Sequence, residues 1–285
     1  MSNRAFRKKV NSVVFVVLSF LLSLDLFVLS FSVVLEATVL NSHYIMDNMI
    51  STDYFVNKSD EITHSLVDLG SASGLKEEFF DGFIDEVMLN TNTEAYLTAY
   101  YDGEGGGAKI DVTEFKQSFN AALDDYITEN NINDVNAESR EYLVNKAANI
   151  YRNSLEIPLF SRVAAYILTL KNAMPFIIAG LVAFAVIIIL ILLFANKWKH
   201  RAMRYYCYAS FATFLSVGIL PIIALATGKM KQINITTRAL YELFVQCGNN
   251  ILLALLLCSV LFFLIAVALM FQYKRMRARV SSGEL

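Results

Sequence analysis

Apolar residues gather in four long runs: Val13 to Leu40, Ala173 to Ala195, Tyr205 to Ala226 and Asn249 to Gln272. At 1.5 Å per residue each is long enough, as a helix, to cross about 30 Å of hydrocarbon. None of them alternates with the period of two that a barrel strand requires. In lipid only helices and closed barrels satisfy their own backbone, so the runs predict four transmembrane helices. The first is too long for the apolar part of a cleaved leader, and SVVLEATVL is a poor cleavage site. It is expected to be a retained span.

Between the first two runs the period changes. In LKEEFFDGFIDEVML the apolar positions Leu75, Phe79, Phe80, Phe83, Ile84, Val87 and Met88 recur at helical spacing, with acids on the other face. A second amphipathic helix is expected from Asp111, where Glu114 completes a capping box. It carries Phe115, Phe119, Leu123 and Tyr126 along one side. A third starts near Asn136 and carries Tyr142, Leu143, Ala147, Ile150 and Tyr151. Ile157-Pro158 marks a break before another helix, which leads into the second span. An earlier pair, around Tyr44 to Val56 and Lys58 to Leu69, ends at Gly70. Each has a single apolar stripe, so they should pack together as a bundle. Between the third and fourth spans, Leu240, Leu243 and Phe244 mark a short amphipathic helix.

Charge orients this layout. Arg4, Arg7, Lys8 and Lys9 precede the first span. Lys197, Lys199, Arg201 and Arg204 fill the turn between the second and third. Lys274, Arg275, Arg277 and Arg279 follow the fourth. If the spans alternate, all three basic segments share one side, which the positive-inside rule makes cytoplasmic. Trp198, Tyr205, Tyr206, Tyr208 and Tyr273 stand at that boundary, where amphipathic rings favour the headgroups.

The expected order is therefore a cytoplasmic N-terminus (1–12), a span (13–40), an extracytoplasmic helical domain (41–172) and a second span (173–195). A cytoplasmic loop (196–204), a third span (205–226), an external loop (227–248), a fourth span (249–272) and a cytoplasmic tail (273–285) follow. The fold class is all-α: a polytopic membrane protein with an external helical bundle between its first two spans.

The net charge of −2 conceals an uneven distribution. Residues 41–171 hold 22 acidic against 9 basic side chains. That balance argues against nucleic acid and suits cations or a basic partner. The three cysteines lie in or beside the spans, so the external domain must be held by packing alone.

Candidate chemistry is sparse. Asp25 lies near the middle of the first span, with Glu36 three helical turns on along nearly the same face. A central Asp costs about 2.5–3.5 kcal/mol on insertion scales, and the surrounding Leu, Val and Phe outweigh it. Such an acid should face protein or a wet cavity. It reads either as a proton or cation site or as a structural acid clipped to Ser210, Thr213, Ser216 or Ser259. Ser12, Ser19, Ser23 and Ser30 form a stripe that suits close helix packing.

Asp60, His64 and Asp68 share one helix face at i, i+4 and i+8, a weak metal pattern lacking a fourth ligand. The run YYDGEGGGAKIDV is expected to be a turn: it has no GxxxxGK[ST] pattern and no strand before it. Asn57-Lys58-Ser59 and Asn234-Ile235-Thr236 match the glycosylation sequon. No catalytic motif is present, and no cofactor is implied.

The layout, with ASGLKEEFF and DVTEFKQSFNAALDDYI in the domain and basic turns between spans, resembles a group of four-span membrane proteins of Gram-positive bacteria. That resemblance implies an external helical domain and brings no activity with it. The one-plus-three arrangement is also similar to that of FtsX-type permease subunits. Here, however, the loop between the second and third spans is too short for the coupling segment an ATPase partner would grip. The expectation is a non-enzymatic membrane protein whose acidic external domain binds a partner or ligand at the cell envelope. The alternative is a transporter or FtsX-like permease subunit using Asp25 and Glu36.

Overall fold

The computed structural model describes residues 3–103, 110–132, 136–157, 160–196, 199–235 and 237–281. Among them the chain is helical, with no strand. Its α-helices are α1 (Asn3–Ala37), α2 (Ser42–Ser51), α3 (Tyr54–Ser71), α4 (Glu86–Asp102), α5 (Thr113–Glu129), α6 (Ala137–Leu155), α7 (Phe160–Ala195), α8 (Lys199–Thr227) and α9 (Arg238–Ser281). Two compact units are formed. One comprises Met1–Val39, Lys171–Ile233 and Val245–Leu285; the other comprises Leu40–Leu170 and Asn234–Phe244.

In the first unit four helices are long and apolar enough to cross a membrane: Ser12–Ala37, Ala165–Ala195, Lys199–Thr227 and Arg238–Arg279. Side-chain contacts fix their directions. Ser19 Oγ donates to the Tyr205 carbonyl at 2.8 Å, and Thr213 Oγ1 to the Ser23 carbonyl at 3.3 Å. Val34 shares an apolar cluster with Val217 further along. Position rises together in α1 and α8, so these helices run the same way.

Helix α9 runs against α8. Cys207 Sγ donates to the Ala266 carbonyl at 3.5 Å, and Ser259 Oγ to the Phe214 carbonyl at 3.0 Å. Helix α7 also opposes α8: Leu192, Ile188 and Ala185 pack with Tyr205 and Ala209, and Tyr206 Oη donates to the Ile189 carbonyl at 2.6 Å. The start of α1, the start of α8 and the end of α9 therefore lie at one end of the bundle. That end collects the basic segments the sequence singled out.

Small residues set the spacing of these helices. A Cβ added at Gly218 would lie 2.5 Å from Ser259 Oγ, so α8 and α9 approach closely at that level. Ser19 on α1 and Ser259 on α9 donate to carbonyls of α8 instead of facing lipid. Large apolar side chains point outward: Phe176 is 80% exposed and Phe194 79%.

The second unit has an aromatic core. Phe80, Phe115, Phe119 and Tyr151 are buried there with Tyr54, Ile62, Leu66, Leu89 and Leu97. Phe83 meets Phe119 edge-on at 5.4 Å, and Phe115 stacks on Tyr151 at 4.6 Å. The Phe80 ring lies against Gly70, where no side chain would fit. Caps define the helix starts. Asp85 accepts from the Val87 amide, and Asn136 from the Glu138 amide at 2.9 Å.

Some elements differ from the sequence pattern. The stretch from Leu75 to Met88 is not one helix. A 3-10 turn at Glu77–Phe80 gives way at Gly82, whose φ is +68°, and α4 starts afresh after Asp85. Both faces of the broken segment still deliver phenylalanines to the core. The helix expected between the third and fourth spans is the first turns of α9. Leu240 and Leu243 are buried there as expected, but Phe244 is 49% exposed. Tyr142 also departs from its expected face and is 62% exposed.

Candidate functional site

Helix α1 places Asp25 in the interior of the four-span unit, 5% exposed. Neither carboxyl oxygen has a hydrogen-bond partner among the described residues. Of the hydroxyls proposed as partners, Thr213 and Ser259 are engaged elsewhere, Ser216 is turned away, and Ser210 is buried. Thr213 Oγ1 donates to the Ala209 and Ser23 carbonyls, Ser259 Oγ donates to Phe214, and Ser216 is exposed. Glu36 is half-buried further along α1. A buried carboxyl with no donor is costly to keep, and a structural clip would show the donor. The hydroxyl seam and the acid are therefore separate features: the seam joins α1 to α8, and Asp25 takes no part in it.

Asp60, His64 and Asp68 lie together on the exposed face of α3, opposite Ile62 and Leu66. Among the described residues no group of three or more His, Cys, Asp or Glu is placed to hold a metal. The face does not recruit a further ligand from a neighbouring helix. The glycine run falls on residues 104–109, which lie outside the described residues; helix α4 ends just before it, with Gly103 at φ +98°.

Asn57 is within α3, and its side-chain amide donates to the Asp53 carbonyl at 3.1 Å and to Glu242 Oε2 at 2.9 Å. That amide is engaged inside a helix, unlike the free loop asparagine a glycan requires. Around it lies a polar network that sequence reading did not find. Lys58, 5% exposed, pairs with Glu61 at 3.0 Å; Glu61 Oε1 accepts from the Ala239 amide at the start of α9; Arg238 pairs with Glu242 at 2.9 Å. Glu61 thus places a carboxylate at a helix N-terminus, where the dipole favours it. The partners are about 180 positions apart in the chain, and no local spacing signals such a pair.

A concavity of the second unit lies between α5, α6 and the turn after α3, with a volume of about 760 Å³. Leu75, Leu123, Tyr126, Ile132, Tyr142 and Leu143 supply the apolar part of its lining, and Ser73, Asn136, Glu138, Ser139 and Arg140 the polar part. Arg140 donates to Asp124 at 2.6 and 2.9 Å. These hydrogen bonds hold the Asp124 carboxyl below its ordinary range. The sequence placed Leu75, Leu123, Tyr126, Tyr142 and Leu143 on apolar helix faces; Ile132, which no periodicity singled out, is 43% exposed and lines the concavity.

No protein-family model matches this chain, and neither a curated protein nor a solved structure matches it. Four apolar helices identify it as a membrane-embedded protein. Any further assignment rests on the chemistry of its own residues.

Proposed function

We propose that this is a non-enzymatic, multi-pass protein of a bacterial cell membrane, whose acidic helical unit stands outside the membrane and binds a protein partner at the envelope. Both termini are then cytoplasmic and residues 41–172 extracytoplasmic. The observation that carries this reading is the convergence of three basic segments on one end of the four-span unit, the end that the positive-inside rule retains in the cytoplasm. The other unit has its own aromatic core, an acidic surface and a partly apolar concavity. Those are features of a recognition domain.

Photo-crosslinking groups at exposed positions of the unit, such as Asp125 and His64, test the reading in native membranes. It expects a discrete protein adduct that competes with unlabelled chain. Adducts with lipid alone, or a non-saturating smear, would contradict it.

One observation favours a second reading, transport through the four-span unit: the unpartnered Asp25 carboxyl. Asp25 and Glu36 would then line the path. Under that reading Asp25→Asn abolishes an ion or solute flux in vesicles while leaving the protein folded. An unchanged flux, or none in the wild type, removes it.

A further inference from the structure

We propose that the concavity between α5 and α6 is the docking site for a cationic amphipathic segment of the partner protein. This rests on the recognition role above and names its site and its occupant. The lining supplies the apolar half of the argument. Among its lining residues Ile132 and Tyr142 are 43% and 62% exposed, Leu75 is half-buried, and Leu123 and Leu143 are buried. A volume of about 760 Å³ accepts two or three apolar side chains from one face of a helix.

Charge supplies the other half. Asp124, Asp125 and Glu129 lie in the last turns of α5, and Glu138 and Glu141 in the first turns of α6. Arg140, which also lies there, is engaged by Asp124. Acids at the C-terminal end of α5 oppose its dipole, and that end carries no basic residue in its last turn. The field over the mouth is therefore negative at neutral pH. Lys146 lies 5.5 Å from the centre of the Tyr142 ring and already covers that face, so incoming cations are met by the carboxylates and not by this ring. At these helix ends Asp124, Asp125, Glu129, Glu138 and Glu141 outnumber Arg140 and Lys146. A partly apolar concavity between them favours leucine-like anchors flanked by Lys or Arg over an anionic segment.

The test uses the full chain in discs of uncharged lipid, with two fluorescent probe peptides of about five helical turns. One is built from Leu and Lys, the other from Leu and Glu. The proposal expects the Leu/Lys peptide to bind above the level of empty discs, with an affinity that falls as salt is added. The Leu/Glu peptide should not bind.

The paired change Ile132→Ser and Tyr142→Ser, at exposed positions, removes apolar surface without adding charge and should weaken binding by about tenfold or more without shifting thermal unfolding. Asp125→Lys with Glu138→Lys should weaken it too and flatten its salt dependence. Equal binding of both peptides, binding no greater than to empty discs, or indifference to the paired changes would overturn the proposal. If the crosslinked partner in native membranes survives the Ile132 and Tyr142 changes, the site is wrong and the recognition role stands. If the wild type captures no partner, the recognition role itself fails.

Discussion

In the four-span unit Phe176 and Phe194 point outward while Ser19, Ser23, Thr213 and Ser259 are buried. In the acidic unit Phe115 and Phe119 are buried and the carboxylates lie outside. Both units are helical, and both draw heavily on phenylalanine. What differs is the solvent each is built for. Where hydrocarbon surrounds a helix, burial of apolar surface gives no drive to associate, so close approach and hydroxyl-to-carbonyl bonds join the helices. Where water surrounds it, burying aromatic surface is the dominant favourable term. A change that matters in one unit should therefore matter little in the other.

The largest expected break is Phe119→Ala, which removes a fully buried ring in contact with Phe79, Phe80, Phe83 and Phe115. It should cost about 3–5 kcal/mol. Limited proteolysis should then cut within the acidic unit while the spans stay protected. Loss of both units together would deny their independence. Next is Gly218→Val, which forces a side chain against Ser259 between α8 and α9. Overpacking there should cost about 1–3 kcal/mol, read as a lower melting temperature in detergent, with the protease pattern of the acidic unit unchanged.

Asn136→Ala removes the cap of α6 and should cost about 1 kcal/mol, seen as faster amide exchange in the first turn of that helix. Ser259→Ala removes one interhelical bond, an effect near 0.6 kcal/mol in membranes.

The smallest effect is a pH dependence. Arg140 holds the Asp124 carboxyl below its ordinary value of about 3.9. A lowered value means that the pair stabilises fully above that pH and fades as pH falls through the lowered value. Asp124→Asn should thus be slightly less stable than wild type at neutral pH and converge with it in acid. A gap that widens in acid would contradict the assignment.

The same contrast explains what could be read from the chain. The four spans were legible because an unbroken apolar run has one physical meaning at that length. Helix α6 was legible from its period and its cap at Asn136. Helix α5 was legible from its period, although it starts at Thr113 after Val112 and not at the box expected from Asp111. The break expected at Asn57 falls instead at Thr52–Asp53, so α3 starts at Tyr54. The Leu75–Met88 segment misled because its phenylalanines recur at helical spacing, while Gly82 takes a backbone conformation that ends the helix. The break expected between the short amphipathic helix and the fourth span is absent for a different reason. Gln246, Asn249 and Asn250 interrupt the apolar run but not the backbone ladder, so α9 continues through them.

For the candidate site, Asp25 was visible as an oddity of composition. Its lack of a donor was not, because Thr213 and Ser259 make their bonds to backbone carbonyls on other helices. The α5–α6 concavity was hidden because Leu123 and Leu143 follow the same period whether they face a core or a groove.

Sidedness underlies every functional statement, and single-cysteine labelling measures it most directly. In a chain with Cys207, Cys247 and Cys258 replaced by Ala, Asp125→Cys and Arg201→Cys are treated separately in intact cells with a membrane-impermeant maleimide. The account predicts that position 125 is labelled without lysis and that position 201 is labelled only after it. Labelling of 201 in intact cells, with 125 protected until lysis, would contradict it.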